Sequence, residues 1–144
     1  MIVAIACDHA GYNLKEKVRE YLKESNIEYI DFGSYDTQSV EYYEYAQKVC
    51  ESINSGAADC GVLLCGTGIG MAMAANKHKN IRAACCSDMY SAKMTRLHND
   101  ANVLTMGERV LGFGLAIDIL KIFLDTEFAG GYHTPRVDAL NKLL

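Results

Sequence analysis

The chain has 144 residues, half of which are hydrophobic, and a formal net charge of -4. This length is typical of one domain with a buried core, and the composition excludes a disordered protein. The acidic balance argues against general nucleic-acid binding, which needs a basic face, although a few cations could still hold a small anion.

The opening stretch from Met1 to Cys7 is apolar, but it is short and lacks the basic lead of a signal peptide. No apolar run reaches the length of about 18 residues that a membrane span needs. We therefore expect a soluble, cytoplasmic protein that acts away from membranes.

Short apolar runs alternate with amphipathic stretches along the whole chain, without a linker or a repeat. The runs predict buried strands, and apolar residues at helical spacing predict helices. In chain order, the predicted elements are a strand at Ile2–Cys7, a helix at Lys15–Glu24, a strand at Glu28–Phe32, a helix at Tyr42–Ile53, a strand at Gly61–Cys65, a helix at Met71–Lys77, a strand at Arg82–Cys86, a helix at Tyr90–Leu97, a strand at Val103–Met106, and helices at Leu115–Leu124 and Val137–Leu144.

Buried strands that alternate with helices are typical of a parallel sheet covered by helices on both faces. The sequence therefore predicts a single α/β domain over residues 1–144 with five parallel strands. Ligands of such sheets bind at the carboxyl ends of the strands, so the loops after strands one, three, four and five are the candidate sites.

The loop after the third strand starts at Cys65 and places glycine at every second position, at Gly66, Gly68 and Gly70. Such a turn exposes backbone N–H groups and can cradle an anion where it leads into a helix. Its spacing matches neither the dinucleotide fingerprint nor the P-loop. Cys65 lies beside these N–H groups, which favour a thiolate. The alternative is a cysteine that only packs.

The chain has six cysteines and no CxxC pair, which argues against zinc-ribbon and thioredoxin-like sites. We expect all six to be free thiols in a reducing compartment. Those other than Cys65 are predicted to be structural, and they are Cys7, Cys50, Cys60, Cys85 and Cys86.

Polar groups also follow other predicted elements. Asp8 comes directly after the first strand, where it could act at the ligand edge or simply cap the next helix. The segment 98–102, His-Asn-Asp-Ala-Asn, could hold a ligand or form a hydrogen-bonded turn. Arg109 and Arg136 are the cations best placed to meet an anion, although a surface arginine is often only solvated.

Taken together, these motifs resemble the ribose-5-phosphate isomerase B family, which is related to the galactose-6-phosphate isomerase subunits. The resemblance covers essentially the whole chain. It rests on Cys7-Asp8-His9, Cys65-Gly66-Thr67-Gly68-Ile69-Gly70, Ala74-Ala75-Asn76-Lys77, Ile81-Arg82-Ala83, residues 98–104, Gly107-Glu108-Arg109-Val110, and Gly130-Gly131-x-His133-x-x-Arg136-Val137.

The resemblance implies a Rossmann-like (flavodoxin-like) three-layer fold that uses no cofactor and no metal. It implies an aldose–ketose isomerase that interconverts ribose 5-phosphate and ribulose 5-phosphate through an enediolate, in the pentose phosphate pathway. It also implies a homodimer, or a dimer of dimers, in which two chains build each active site at their interface.

Catalytic roles are implied residue by residue. Cys65 matches the base that moves a proton between C1 and C2. Some members use a glutamate just after the glycine loop instead, where this chain has Met71. Thr67 and the N–H groups of the loop glycines match the hole that holds the enediolate oxygens. His98 matches the residue that opens the sugar ring, with Asp8 as its partner in moving hydroxyl protons.

Other matches concern substrate binding. Asn99 matches a ligand of a sugar hydroxyl, and Tyr42 matches a tyrosine that lines the sugar site. His9, Arg109 and Arg136 match ligands of the phosphate. The chemistry is consistent, because an enediolate needs a base at carbon and hydrogen-bond donors at the developing oxyanion.

Two departures from the family pattern concern the substrate. Tyr132 stands where the family usually has a phosphate-binding arginine. The segment Glu41-Tyr42-Tyr43 stands where the family usually has Asp-Tyr-Pro, so Tyr43 takes the place of the proline. Alternatives are therefore the same reaction on allose 6-phosphate, galactose 6-phosphate or a sugar without phosphate. A non-catalytic sugar-phosphate-binding module is the alternative of another class.

Overall fold

Five strands and six helices alternate along the chain in a computed structural model that describes all of residues 1–144. Short 3-10 turns at His9–Gly11 and Gly131–His133 precede α1 and α6. The elements are β1 (Ile2–Cys7), α1 (Tyr12–Glu24), β2 (Glu28–Asp31), α2 (Tyr42–Asn54), β3 (Cys60–Cys65), α3 (Ile69–Ala75), β4 (Ala83–Cys85), α4 (Met89–Asn99), β5 (Val103–Gly107), α5 (Phe113–Asp125) and α6 (Thr134–Asn141).

All neighbouring strands are parallel, in the order β2-β1-β3-β5-β4. The predicted five-stranded parallel sheet is therefore confirmed. The order differs from the flavodoxin order because β5 lies between β3 and β4. As a result Cys65, at the end of β3, is paired with Gly107, at the end of β5.

Alternate residues along each central strand enter different halves of the core, as the pleat of a strand requires. In β1, Val3 and Ile5 pack with α1, α4 and α5, whereas Ala4 and Ala6 pack with α2 and α3. Helices therefore cover both faces of the sheet, which confirms the predicted three layers. None of the helices is long and apolar enough to cross a membrane.

The element boundaries differ from the predictions by a few residues. Helix α3 begins at Ile69 and not at Met71, so that Gly70 lies in its first turn. Helix α6 covers Thr134–Asn141, three residues earlier than predicted, because Pro135 is accommodated in its first turn. Cys60 opens β3 and does not precede it.

Because the strands are parallel, the sheet has a carboxyl edge, where strands end, and an amino edge, where they begin. Helix α4 returns from the carboxyl edge to the amino edge and ends at Asn99. The hydrogen bonds of Asn102, which follows α4, confirm that this helix ends at the amino edge. The Asn102 carbonyl accepts the N–H of Gly61 in β3 at 2.9 Å, and its side-chain oxygen accepts the N–H of Arg82, just before β4, at 2.8 Å.

Candidate active site

Three loops meet at the carboxyl edge of the sheet, after β1, β3 and β5. They pack backbone against backbone. A Cβ on Gly11 would lie 2.4 Å from the Leu64 carbonyl carbon, and one on Gly107 would lie 2.5 Å from the Thr67 carbonyl carbon. The loop after β5 is also hydrogen-bonded to the glycine loop, since the Glu108 N–H donates to the Cys65 carbonyl at 2.9 Å. The three loops therefore form one fixed surface at the β1–β3 switch point.

Cys65 is held at the centre of this surface. Its Sγ accepts a hydrogen bond from the Gly68 N–H at 3.1 Å, and the residue is 7% exposed. Gly68 has φ +82°, and a Cβ there would lie 2.9 Å from the Met106 carbonyl carbon, so this position requires glycine. The glycine loop thus folds back so that a backbone N–H donates to the sulfur.

Several N–H groups of the glycine loop remain free. Those of Gly66, Thr67 and Gly70 donate to no acceptor within the chain, while the Ile69 N–H donates to Thr67 Oγ1 at 3.2 Å. The Gly68 N–H, which we expected to face substrate, is taken by Cys65 in this structure. The free donors beside a buried sulfur are suited to an anion or to a developing oxyanion.

The loop after β1 supplies a carboxylate and an imidazole. Asp8 Oδ1 accepts the N–H groups of Ala10 and Gly11 at 2.9 and 3.2 Å, so Asp8 does cap the following turn. Its other oxygen, Oδ2, makes no hydrogen bond within the chain. His9 Nδ1 accepts the Val40 N–H at 3.3 Å. Since a backbone N–H only donates, neutral His9 carries its proton on Nε2 and can donate it to a ligand.

Two further predicted residues lie on the same surface. The Tyr42 ring packs on Gly70, where a Cβ would lie 3.3 Å from ring carbons. The Arg109 guanidinium lies beside Gly66, where a Cβ would lie 3.4 Å from Nη1, and it makes no ion pair within the chain. We call this set the carboxyl-edge cluster, which consists of Asp8, His9, Tyr42, Cys65, Gly66, Thr67, Gly68, Gly70 and Arg109.

The remaining predicted residues form a second group at the amino edge. His98 and Asn99 end helix α4 and are exposed. The His98 ring stacks on His133 with centroids 4.5 Å apart, and the Tyr132 ring lies 4.2 Å from that of His133. The Arg136 guanidinium lies over the Tyr132 ring at 5.5 Å. We call these residues the amino-edge cluster.

Within one chain the two clusters do not meet. They lie at opposite edges of a sheet whose third strand has six residues, which corresponds to a length of roughly 17 Å. One chain therefore cannot bring His98 or Arg136 to the sulfur of Cys65 without a large rearrangement. The predicted site residues therefore form two separate groups within one chain.

The motifs predict no role for His133, although it belongs to the segment that contains Arg136. The structure places it between His98 and Tyr132. Desolvation, together with the charges of His98 and Arg136, lowers its pKa below the usual 6.5. The neutral form of His133 is therefore favoured beside His98 and Arg136. The signal for it in the sequence is that His133 is the one histidine of the 130–137 motif.

The other cysteines behave as structural thiols, with one exception. Burial raises the pKa of Cys7, Cys60 and Cys86 to about 11 and that of Cys50 to about 12. Cys85 is exposed on the edge strand β4. No group of three or more His, Cys, Asp or Glu side chains in the chain is arranged to hold a metal ion.

Brief treatment with iodoacetamide near neutral pH is expected to alkylate Cys65 well before the four thiols whose pKa burial raises. The reason is that only a thiolate reacts, and burial raises the pKa of those four thiols, whereas Cys65 lies at the carboxyl edge beside the Gly68 N–H. Peptide mass spectrometry measures the order, in a Cys85→Ser background that removes the exposed thiol. Alkylation of Cys60 or Cys86 ahead of Cys65 would contradict this assignment.

Comparison with known proteins gives full-length matches. The Ribose/Galactose Isomerase family model matches residues 3–140. Ribose-5-P isomerase B of Listeria innocua is 46% identical over 99% of this chain and 97% of its own. Galactose-6-phosphate isomerase subunit LacB of Clostridium acetobutylicum is 40% identical over 89% of this chain and 74% of its own. The solved structure of Clostridium thermocellum ribose-5-phosphate isomerase B has a TM-score of 0.98 at 47% identity, and the match covers 99% of this chain and 97% of that one.

The matched region reaches from the first strand to the last helix, so it includes both residue clusters. The resemblance drawn from the motifs and the predicted fold are both confirmed. The chain therefore belongs to the ribose/galactose isomerase family.

Proposed function

We propose that this protein is an aldose–ketose isomerase that interconverts ribose 5-phosphate and ribulose 5-phosphate, without a cofactor or a metal. The observation that carries the proposal is the sulfur of Cys65, held by a backbone N–H at 3.1 Å at the carboxyl edge. Free N–H groups of Gly66 and Thr67 lie in the same loop. The isomerisation needs a carbon base beside oxyanion donors, and this loop supplies both.

In the proposed reaction, the Cys65 thiolate removes the proton from C2 of the open-chain aldose. The electron pair forms the enediolate, whose negative oxygen is held by the free N–H groups and the Thr67 hydroxyl. The Cys65 thiol then returns the proton to C1, and a proton moves between the two oxygens to give the ketose. A general base contributes roughly 10²–10⁴ in rate and one oxyanion donor roughly 10²–10³. No net oxidant or base is consumed.

We further propose that the active unit is a homodimer, or a dimer of dimers, in which the carboxyl-edge cluster of one chain meets the amino-edge cluster of the other. His98 of the partner subunit would open the sugar ring with Asp8, and Asn99 of the partner subunit would bind a sugar hydroxyl. The phosphate would be held by His9 and Arg109 together with Arg136 of the partner subunit. The separation of the clusters in one chain is the reason for the proposal.

A groove of about 980 Å³ along the edge strand β4 is the proposed contact surface. The wall of the groove includes Ile69, beside the glycine loop, and Asn99, in the amino-edge cluster. The groove therefore runs from one cluster towards the other. Its wall also carries exposed apolar side chains at Met73, Leu140 and Leu143. Exposed apolar patches of this kind are typical of interfaces.

Symmetry explains why this groove is suited to a second copy. In a two-fold dimer the same surface of each chain forms the contact, so that one end of the groove in one chain faces the opposite end of the groove in the other. A two-fold axis through the middle of the groove would place the amino-edge end of each chain on the glycine-loop end of the other, which builds two equal sites. Cys85 also lines the groove, so pairing would shield this exposed thiol.

A cytoplasmic location is part of the proposal, because all six cysteines are free thiols and a reducing compartment keeps them so. The same reaction on galactose 6-phosphate or allose 6-phosphate is the second candidate function. It is favoured by Tyr132, which is 72% exposed and replaces a cation with a flat ring at the proposed phosphate end.

The function is tested with ribose 5-phosphate in deuterated water, alongside allose 6-phosphate, galactose 6-phosphate and unphosphorylated ribose. The expected result is ketose formation, fastest from ribose 5-phosphate, with deuterium incorporated from solvent. Binding without exchange or ketose formation would support the sugar-phosphate-binding module. Faster turnover of a six-carbon phosphate would move the substrate assignment to that sugar.

Subunit mixing tests the shared site. Cys65→Ala and Arg136→Ala chains are each expected to be nearly inactive, but a mixture should recover about a quarter of the wild-type activity. The reason is that random pairing makes half of the dimers mixed, and each mixed dimer has one intact site of two. Recovery is measured after proven subunit exchange, with Cys65→Ala alone as the control. No recovery would place the complete site within one chain.

Tyr132→Arg is expected to lower KM for ribose 5-phosphate, with a smaller effect on kcat. A charge-assisted contact to phosphate is worth about 1.5–3 kcal/mol, and it is gained in the ground state and the transition state alike. Tyr132→Phe, which removes only the hydroxyl, is the matched control, and unphosphorylated ribose should show no benefit. An unchanged or raised KM for every phosphorylated sugar would remove Tyr132 from the phosphate site.

A further inference from the structure

Arg82 joins three segments at the amino edge. Its side chain is 15% exposed and lies just before β4. Nε donates to the carbonyls of Asn99 and Asp100 at 3.2 and 2.9 Å, and one terminal nitrogen bonds Asp100 Oδ2 at 3.2 Å. The other terminal nitrogen donates to Asn141 Oδ1, at the end of α6, at 2.8 Å.

The residue that Arg82 holds, Asp100, is in an unusual conformation. It caps helix α4 with φ 47° and ψ 45°, the left-handed region that favours glycine. Arg96 bonds its Oδ1 at 3.2 Å, so a guanidinium is bound to each carboxylate oxygen. This conformation fixes the direction in which the chain leaves His98 and Asn99. The two arginines therefore hold the residue that directly follows His98 and Asn99.

Arg82 also links the two parts of the amino-edge cluster. His98 and Asn99 belong to the end of α4, whereas Arg136 belongs to α6, and Arg82 bonds both segments through different nitrogens. We propose that Arg82 is a positioning residue that sets the spacing between His98 and Arg136 in the active site. The proposal rests on the proposed function, since it assigns Arg82 to the ring-opening and phosphate end of that site.

The guanidinium fork is essential to this role. One planar group donates in three directions at once, to a carbonyl pair, a carboxylate and an amide oxygen. Lysine offers the same charge on one nitrogen at the end of a flexible stem. Arg82→Lys and Arg82→Gln are therefore both expected to lower kcat/KM for ribose 5-phosphate by about 10²-fold, the effect of a displacement of about 1 Å in a catalytic group. Full activity in Arg82→Lys would show that charge alone matters and would overturn the proposal.

Subunit mixing shows which cluster Arg82 serves. Arg82→Gln should recover activity with Cys65→Ala, because one mixed site then has an intact cluster from each chain. It should not recover with His98→Asn, since both amino-edge clusters are then damaged. The reverse pattern would assign Arg82 to the carboxyl-edge cluster and overturn the proposal. Cys65→Ala mixed with His98→Asn must itself recover activity, and its failure would count against the shared site and not against Arg82.

A readout without catalysis completes the test. In amide NMR spectra, Arg82→Gln should shift His98, Asn99 and the α6 signals while leaving those of Gly66 and Gly68 in place. Arg19→Gln, which removes an exposed arginine bonded to Glu16, is the matched control. If Arg82→Gln does not fold, Asn141→Ala breaks only the link to α6 and should raise KM about tenfold. Unchanged His98 and Asn99 signals, or an unchanged KM in Asn141→Ala, would overturn the proposal.

Discussion

Cys65→Ala is expected to lower isomerase turnover by about 10²–10⁴, the usual contribution of a general base, while substrate binding changes little. The substitution removes one sulfur from a site that is 7% exposed and leaves the glycine loop in place. No second base is available in the loop, because Met71 stands at the position where a glutamate could serve, and it is fully buried.

The control for this variant is Cys60→Ala, which removes another buried thiol at the opposite end of the same strand. Turnover, KM and the thermal unfolding midpoint are measured for both variants. Similar unfolding midpoints with a loss of turnover confined to Cys65→Ala would support the assignment. Turnover above about a hundredth of the wild-type value would make Cys65 a packing residue.

His98→Asn is expected to reduce turnover of ribose 5-phosphate by about 10²–10⁴, the range for general acid–base catalysis, and to have a small effect on an aldose phosphate that cannot cyclise. Ring opening needs proton transfer at the ring oxygen and the anomeric hydroxyl, whereas the carbon step uses Cys65. The exposed, stacked ring of His98 is free to meet a substrate held by another chain.

The comparison of the two substrates separates chemistry from folding, since a structural defect would lower both rates. The substrate without a ring can be a shorter aldose phosphate, in which the phosphorylated hydroxyl leaves none for ring closure. His78→Asn is the control for loss of an imidazole, since His78 bonds only carbonyls near the end of α3, and its oligomeric state is checked because His78 lines the proposed contact groove. Equal losses on both substrates in His98→Asn would remove this residue from ring opening.

The sequence predicted every strand and helix of the fold, because buried runs and helical spacing are strong local signals. It did not predict that β5 lies inside the sheet, since hydrophobic runs identify a buried strand but not its neighbours. The early start of α6 could have been predicted from Pro135, a residue that favours the first turn of a helix.

The candidate site was predictable in part. Asp8 follows one buried strand and Cys65 ends its parallel neighbour, so their meeting at one edge follows from parallel topology. The separation of the two clusters also follows from the parallel topology, because His98 lies in the last turn of α4, a helix that returns to the amino edge. The Gly68 hydrogen bond to the sulfur and the contacts of Arg82 depend on tertiary packing, and no local pattern in the sequence encodes them.

The position of β5 between β3 and β4 has a consequence for synthesis on the ribosome. The edge strand β4 pairs with β5 alone, yet it leaves the ribosome about one helix earlier. Residues 83–85 therefore have no place in the sheet until residues 103–107 have emerged, whereas β1, β2 and β3 can already pair. The groove beside β4 also takes wall residues from α6, so it is complete only when the last helix has been made.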